Sequence, residues 1–179
     1  MRYGMAVDTR KCVGCSDCVV ACQTENNVPI GYCREWVVEV MDGTYPQLEI
    51  EIRSERCNHC DNAPCVRCCP TGASHVAEGG IVLVKPGKCI GCGACIASCP
   101  YDARYPHPDG YVDKCTFCIQ RVRNGRYPAC VEACPTGSRK FGNLLDPDSE
   151  IRYLIEHKRV FRLKEDLNTE PKFYYFFAE

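Results

Sequence analysis

The sequence lacks a long hydrophobic run. Its longest strongly apolar stretch is only 173–178, and residues 1–4 carry no apolar stretch of the kind that begins a secretory signal. We therefore expect a chain that neither spans a membrane nor is exported by an evident peptide of its own. Net charge is also nearly absent, at -1 with an isoelectric point near 6.4, so the chain has no overall basic field that would attract nucleic acid.

Familiar catalytic motifs are missing as well. No paired carboxylates, nucleophile elbow, phosphate loop or nucleotide fingerprint is present. Three of the four histidines, His75, His107 and His157, have no spacing that suggests a metal site. We therefore predict that the chain has no substrate active site of its own.

Cysteine, by contrast, makes up 18 of 179 residues. Without it the hydrophobic content falls from 45% to about 35%, which is a modest apolar core. This composition indicates that something bound to sulfur supplies folding energy. Sixteen of the cysteines form four quartets: Cys12, Cys15, Cys18 and Cys22; Cys57, Cys60, Cys65 and Cys69; Cys89, Cys92, Cys95 and Cys99; Cys115, Cys118, Cys130 and Cys134.

The quartets share one spacing. The first and third are C-x2-C-x2-C-x3-C, whereas the second and fourth lengthen the middle gap to four and eleven residues, and proline follows the last cysteine in three of the four. Three chemistries compete for such cysteines. Closely spaced cysteines are poorly placed for a disulfide scaffold, and a zinc ribbon uses two separated C-x2-C knuckles, but C-x2-C-x2-C-x3-C-P is the bacterial ferredoxin run. The spacing favours 4Fe-4S clusters over these two alternatives.

Ferredoxins pair their quartets reciprocally: three thiolates of one quartet and the last thiolate of the other bind one cluster. Applied to the two outer and the two inner quartets, this rule predicts four 4Fe-4S clusters and sixteen ligands. Set a is Cys12, Cys15, Cys18 and Cys134; set b is Cys115, Cys118, Cys130 and Cys22; set c is Cys89, Cys92, Cys95 and Cys69; set d is Cys57, Cys60, Cys65 and Cys99.

Several residues beside the quartets are candidates for tuning the clusters. A basic residue precedes each quartet (Lys11, Arg56, Lys88, Lys114), and we hypothesise that Lys88→Ala lowers the potential of its cluster, the alternative being an ordinary solvated lysine. His59 could tune a cluster through its ring N–H, or could face solvent. We expect the remaining cysteines to be no ligands: Cys68 as a small buried hydrophobe and Cys33 as a plain thiol in a loop.

Beyond the quartets, the segments 69–74, 99–105, 114–118 and 141–144 make the chain resemble the four-cluster iron–sulfur subunits of molybdopterin oxidoreductases. Its short length and residues 146–149 resemble most the polysulfide and thiosulfate reductase type. The nitrate reductase subunit has tryptophan at the position of Cys92 and a three-iron cluster there, so Cys92 implies four cubanes here. The resemblance also implies that the clusters form a nearly linear wire.

The resemblance implies an α+β fold with two ferredoxin-like modules related by a pseudo-twofold axis, small antiparallel sheets and short helices. The outer module would comprise 1–55 plus 101–145 and the inner module 56–100, followed by a C-terminal helix and an extended tail over 146–179. Patterning predicts strands at Tyr3–Val7, Trp36–Val40, Leu48–Ile52 and Ile81–Val84 and a helix over 147–157. We predict that the aromatic cluster Phe173–Phe177 packs on a partner subunit, the alternative being packing on its own domain.

The function implied by the resemblance is electron transfer between a quinone-reactive, multi-span membrane anchor and a molybdenum or tungsten catalytic subunit, with sets a and b nearer the catalytic subunit. The alternatives are a free-standing soluble polyferredoxin and, more weakly, a zinc-dependent scaffold. By analogy with related sulfur-compound reductases, we expect a peripheral location on the outer face of the cytoplasmic membrane, the cytoplasmic face being the alternative.

Overall fold

The computed structural model describes residues 1–177. Ten short strands and six short helices are distributed along this part of the chain, and the longest helix has ten residues. The strands are β1 Tyr3–Asp8, β2 Glu35–Thr44, β3 Gln47–Arg56, β4 Ser74–Val76, β5 Val82–Val84, β6 Tyr105–Pro106, β7 Val112–Asp113, β8 Arg139–Asn143, β9 Val160–Phe161 and β10 Phe173–Phe176. The helices are α1 Asp17–Asn26, α2 Pro64–Arg67, α3 Ala94–Ala97, α4 Ile119–Val122, α5 Ala129–Glu132 and α6 Glu150–His157.

The largest sheet joins the two ends of the chain. Its order is β8-β1-β10-β9, with β10 parallel to β1 and Phe173 opposite Met5. Because side chains alternate across a strand, Met5, Val7, Phe173 and Tyr175 belong to the core that contains the cysteines. The opposite face, which includes Tyr174 and Phe176, packs with Ile151 of α6.

The remaining sheets are antiparallel pairs, as predicted. The two branched segments before the second quartet form the β2–β3 hairpin, which is longer than the sequence pattern predicted, and the buried run near Val82 is β5, paired with β4. A third pair, β6–β7, follows the third quartet. These elements confirm a small α+β fold with short helices and small antiparallel sheets.

The prediction for the C-terminal aromatic cluster was wrong. Phe173, Tyr174, Tyr175 and Phe176 form β10 and are at most 8% exposed within this single chain. Their packing partner is the chain's own β1, so Phe173–Phe176 pack on their own domain, which was the alternative. Phe177 is exposed, and the predicted tail residues Ala178 and Glu179 lie outside the described residues.

Helix α6 begins later than predicted. Its first residue is Glu150, preceded by Ser149, whereas the sequence pattern predicted that the helix starts at residue 147. Asp146 instead accepts a hydrogen bond from the Asp148 N–H at 3.0 Å, which holds a turn ahead of the helix. Its predicted apolar face is confirmed, because Ile151 is fully buried and Leu154 and Ile155 pack beside it. Within the described residues, no helix has the length and apolar character needed to cross a membrane.

Candidate metal centres

The structure brings the cysteines of sets a and c together as the reciprocal rule predicts. One small cavity is lined by Cys12, Cys15 and Cys18 from the N-terminal loop and by Cys134 from the end of α5. The corresponding cavity of set c is lined by four thiols that also come from two separate segments: Cys89, Cys92, Cys95 and Cys69. In both cavities the fourth thiol therefore belongs to a different quartet from the other three.

The thiols of sets d and b are also grouped, because the thiols within each set influence one another's pKa values. Burial, together with the negative charges that Cys57, Cys65 and Cys99 would carry, raises the pKa of Cys60 to about 12. In set b, burial and the nearby Cys115 and Cys118 raise the pKa of Cys22. Burial likewise raises the pKa of Cys130, with Cys115 contributing. These thiols are therefore protonated until cations or a metal compensate the thiolate charge.

Burial separates the four sets into two enclosed sets, b and d, and two surface sets, a and c. The enclosed sets are called the inner sets below, a division that differs from that of the inner and outer modules. All four thiols of set b are buried, and set d has only the half-buried Cys99 as an exception. Set a contains the exposed Cys15, and set c contains the exposed Cys92. Sets a and c therefore reach the protein surface, whereas sets b and d are enclosed.

The four loops share a backbone conformation at one position. The residue two places after the first cysteine of each quartet has a left-handed φ, at 69°, 45°, 67° and 52°, respectively, for Gly14, His59, Gly91 and Phe117. A left-handed residue in such a loop turns successive N–H groups toward one centre, which creates an anion-binding concavity. At Gly91 no other residue fits easily, because a Cβ atom would lie 2.8 Å from the carbonyl oxygen of Gly110.

A second repeated feature follows the last cysteine of three quartets. The residue three places later again has a left-handed φ: Gly72, Asp102 and Gly137. After Cys69 this turn lets the Ser74 N–H donate to the Cys69 sulfur at 3.3 Å. Burial acts to raise the pKa of Cys69, but hydrogen bonds from Ser74 and Thr71 outweigh it and lower the pKa. Hydrogen bonds from the protein thus favour the thiolate that a cluster requires.

Buried cations lie against the inner sets. Arg56, which is 2% exposed, donates from Nη1 to the Cys130 sulfur at 3.0 Å. Arg104, which is 5% exposed, donates from Nη2 to the Cys65 sulfur at 2.9 Å, while its Nε and Nη1 have no hydrogen-bond partner among the described residues. Such cations fit sites that are to hold negatively charged clusters.

The basic residues before the quartets divide into two groups. Arg56 and Lys114, before the second and fourth quartets, are buried, and the Lys114 ammonium donates to the backbone oxygens of Val82 and Cys115. Lys11 and Lys88, before the first and third quartets, are exposed. The structure therefore favours the alternative of an ordinary solvated lysine for Lys88.

Glu35 anchors the cations of the inner sets. Its carboxylate lies 2.7 Å from Arg56 and 2.8 Å from Arg139, and all three side chains are at most 2% exposed. Burial raises the pKa of Glu35, and the charge of Arg56 opposes this effect. The ion pairs fix the Arg56 guanidinium in the orientation in which it reaches the Cys130 sulfur.

The prediction that Cys68 is buried was wrong, and the structure excludes one of the two alternatives for His59. Cys68 is exposed rather than buried, and its sulfur lies 3.2 Å from the Ser98 hydroxyl. His59 does not face solvent, because its side chain is fully buried. Cys33 is exposed and adjoins none of the four sets, as expected of a plain thiol.

Sequence reasoning missed the donors that come from outside the quartets. Arg104 lies in the 99–105 segment, but no spacing rule links it to Cys65, which is 39 residues earlier. Asn26 places its amide nitrogen 3.6 Å from the Cys22 sulfur and 3.7 Å from the Cys118 sulfur. The only available signal was the position of Asn26 one helical turn after Cys22.

The residues present fit 4Fe-4S clusters. Each set offers four thiols from two segments, and backbone and guanidinium N–H groups reach sulfurs of the sets. In the part of the chain that the structure describes, no three Cys, His, Asp or Glu side chains converge as they would about a single metal ion. A cluster with one iron for each thiolate suits more widely spread sulfurs.

Comparison with known proteins also indicates 4Fe-4S clusters. Residues 48–144 match the family model described as a 4Fe-4S dicluster domain. Protein NrfC of Escherichia coli is 47% identical over 178 residues, covering 97% of this chain and 80% of the relative. The B polypeptide of polysulfide reductase from Wolinella succinogenes is 43% identical over 180 residues, covering 97% and 93%. The B polypeptide of tetrathionate reductase from Salmonella typhimurium is 41% identical over 179 residues, covering 97% and 72%.

Proposed function

The chain belongs to the 4Fe-4S dicluster family, among the iron–sulfur subunits of molybdopterin oxidoreductases, and from this premise we propose its place in a complex. It relays single electrons through four 4Fe-4S clusters between a quinol-reactive membrane subunit and a molybdopterin catalytic subunit. The observation that carries the proposal is the exposure pattern: two sets of thiols are enclosed and the other two reach the surface.

The connections between the sets support the order a, b, d, c. Helix α1 carries Cys18 of set a and Cys22 of set b one helical turn apart. Cys65 of set d lies in α2, and Cys69 of set c follows two residues after the end of that helix. Sets b and d adjoin each other, because Arg56 precedes the first cysteine of set d and binds Cys130 of set b. Neighbouring sets in this order are thus connected either by a short stretch of chain or by a side-chain hydrogen bond.

The proposed order agrees with two ferredoxin-like modules, one of 1–55 plus 101–145 and one of 56–100. The left-handed residues at matching positions of all four loops support a repeated cluster-binding loop in both modules. When bound, the clusters supply one-electron redox chemistry. The chain's own residues hold the clusters through sixteen thiolates, donate hydrogen bonds to sulfur, and exclude water from sets b and d.

We further propose that the complex reduces a sulfur compound of the polysulfide or thiosulfate type and lies on the outer face of the cytoplasmic membrane. Two relatives are named as components of polysulfide and tetrathionate reductases, which supports this substrate class. Set a lies at the end facing the catalytic subunit and set c at the end facing the membrane anchor. The alternative, a soluble polyferredoxin, predicts a chain that remains alone.

The test uses two exposed cysteines in the complex purified from native membranes. Cys15→Ala removes a ligand of set a, whereas Cys33→Ala is the matched control outside the four sets. We expect Cys15→Ala to leave clusters reducible by a quinol analogue but to abolish reoxidation by polysulfide, and we expect Cys33→Ala to behave like the wild type. A cluster-loaded chain that elutes as a monomer, or a Cys15→Ala complex with normal turnover, contradicts the proposal.

A further inference from the structure

His59 has one ring nitrogen satisfied and one without a partner. Its Nδ1 lies 3.1 Å from the backbone nitrogen of Val82, whose N–H can only donate. Nδ1 is therefore the acceptor, and in the neutral ring the proton must reside on Nε2. The side chain is fully buried, and Nε2–H has no hydrogen-bond partner among the described residues. A buried N–H group without an acceptor is unfavourable and rare in native proteins.

The surroundings of the ring limit what the acceptor can be. The charged groups with the largest influence on His59 are cations, which offer N–H donors but no acceptor: Lys114, Lys172, Arg56 and Arg104. His59 itself lies between Cys57 and Cys60 of set d. Its ring stacks on Phe117 with centroids 3.7 Å apart, and Phe117 lies between Cys115 and Cys118 of set b. The ring is thus enclosed between the two inner sets.

We propose that His59 Nε2–H donates a hydrogen bond to an inorganic sulfide of an inner cluster and thereby raises the reduction potential of that cluster. The inference rests on the proposed function, because it requires the clusters to be bound. Reduction adds negative charge to the sulfides, so a hydrogen bond to sulfide stabilises the reduced state more than the oxidised state. His59 therefore adjusts the potential at the centre of the electron path, without binding iron.

Two substitutions separate the Nε2–H donor from the other roles of His59. His59→Phe keeps a flat ring against Phe117 but has no N–H group. His59→Gln places an amide N–H near the position of Nε2. Both variants lose the His59 Nδ1 atom that accepts from the Val82 N–H, and both must adopt the left-handed φ of 45°. The difference in cluster potential between the two variants therefore reports the effect of the Nε2–H donor. His157→Phe is the control, because His157 is exposed.

The measurement is a redox titration followed by EPR on the anaerobically purified, cluster-loaded full chain. We expect His59→Phe to lower the potential of one inner cluster by roughly a tenfold change in its reduced-to-oxidised ratio, ~59 mV for one electron. His59→Gln recovers most of this shift, and His157→Phe causes none. Variants with Cys118→Ala or Cys60→Ala assign the affected signal to set b or set d.

A second readout detects the hydrogen bond directly. Wild-type protein labelled with 15N in its histidine rings should show a weak 15N coupling to a reduced inner cluster in pulsed EPR, and this coupling should be absent from His59→Phe. Absence of the coupling in wild type, equal potentials in wild type and His59→Phe, or a shift confined to sets a and c overturns the proposal. If the wild-type chain contains far fewer than about sixteen iron atoms and sixteen sulfide ions, the proposed four-cluster function is overturned instead.

Discussion

Substitution of Phe173 tests whether β10 belongs to the core of this chain. Phe173 is fully buried opposite Met5 in the central parallel pair of the sheet. Its ring lies 5.2 Å from the ring of Tyr175, and the Arg56 guanidinium lies 5.1 Å from its centroid. Phe173→Ala therefore removes a large side chain from a site closed on all sides, and leaves a cavity beside the residues that hold the inner sets.

Such a truncation costs about 3–5 kcal/mol when the surroundings collapse only in part. At about 2–4 °C per kcal/mol for a chain of this size, the melting temperature should fall by about 6–20 °C. The control is Phe177→Ala, because Phe177 follows the same strand but is 39% exposed; we expect a loss below about 1 kcal/mol.

The assay follows melting of the anaerobic, cluster-loaded chain by far-ultraviolet circular dichroism and by the visible absorption of the clusters. Both signals should be lost together at a lower temperature in Phe173→Ala. Equal, small shifts in the two variants, combined with failure of Phe173→Ala to assemble with its partner, would restore the original prediction that these aromatic residues pack on another subunit.

The cations and the cysteines give two further predictions. Arg104→Met should lower the potential of the set d cluster, because it removes the donor to the Cys65 sulfur, whereas Lys88→Met at an exposed position should leave all potentials unchanged in the same titration. Cys69→Ser should lower iron and sulfide content by about one cluster, and Cys68→Ser should not change it; equal losses in the two variants would show that the ligand had been assigned to the wrong cysteine.

The cysteine repeat predicted the grouping of thiols because each quartet carries its own geometry. Three ligands lie within one loop, so their proximity is fixed locally, and the crosswise fourth ligand follows from the ferredoxin rule. The structure groups Cys134 with the N-terminal loop and Cys69 with the third quartet, as this rule requires. Strands with an apolar pattern, such as β1 and β5, were also predictable from their neighbours in sequence.

The C-terminal strand was not predictable in the same way. Its partner β1 begins 170 residues earlier, at Tyr3 against Phe173, and no local pattern encodes such a pairing. The strand is buried on both faces, so it is a continuous aromatic run rather than an alternating pattern. Such a run is equally suited to a partner surface and to the middle of a sheet.

The burial of the basic residue before each quartet was likewise not predictable from the local sequence. All four occupy one position of the repeat, yet Arg56 and Lys114 are buried while Lys11 and Lys88 are exposed. The difference arises because the second and fourth loops face each other, as the stacked His59 and Phe117 show, whereas the first and third loops contain the exposed Cys15 and Cys92. A repeat fixes the local turn, but the position of that turn in the assembly determines the electrostatic role.

The electrostatics of the centre make the inner clusters part of the core. Arg104 and Lys114 are at most 5% exposed, and neither pairs with a carboxylate among the described ion pairs. An uncompensated buried cation costs several kcal/mol, so this arrangement is stable only when negative charge is supplied nearby. The thiols that face these cations have raised pKa values from burial and hold protons in the absence of a cluster. Cys65 and Cys115 would release their protons on binding a cluster, and the cluster would supply the missing negative charge. We therefore expect folding of the centre and assembly of its clusters to be coupled.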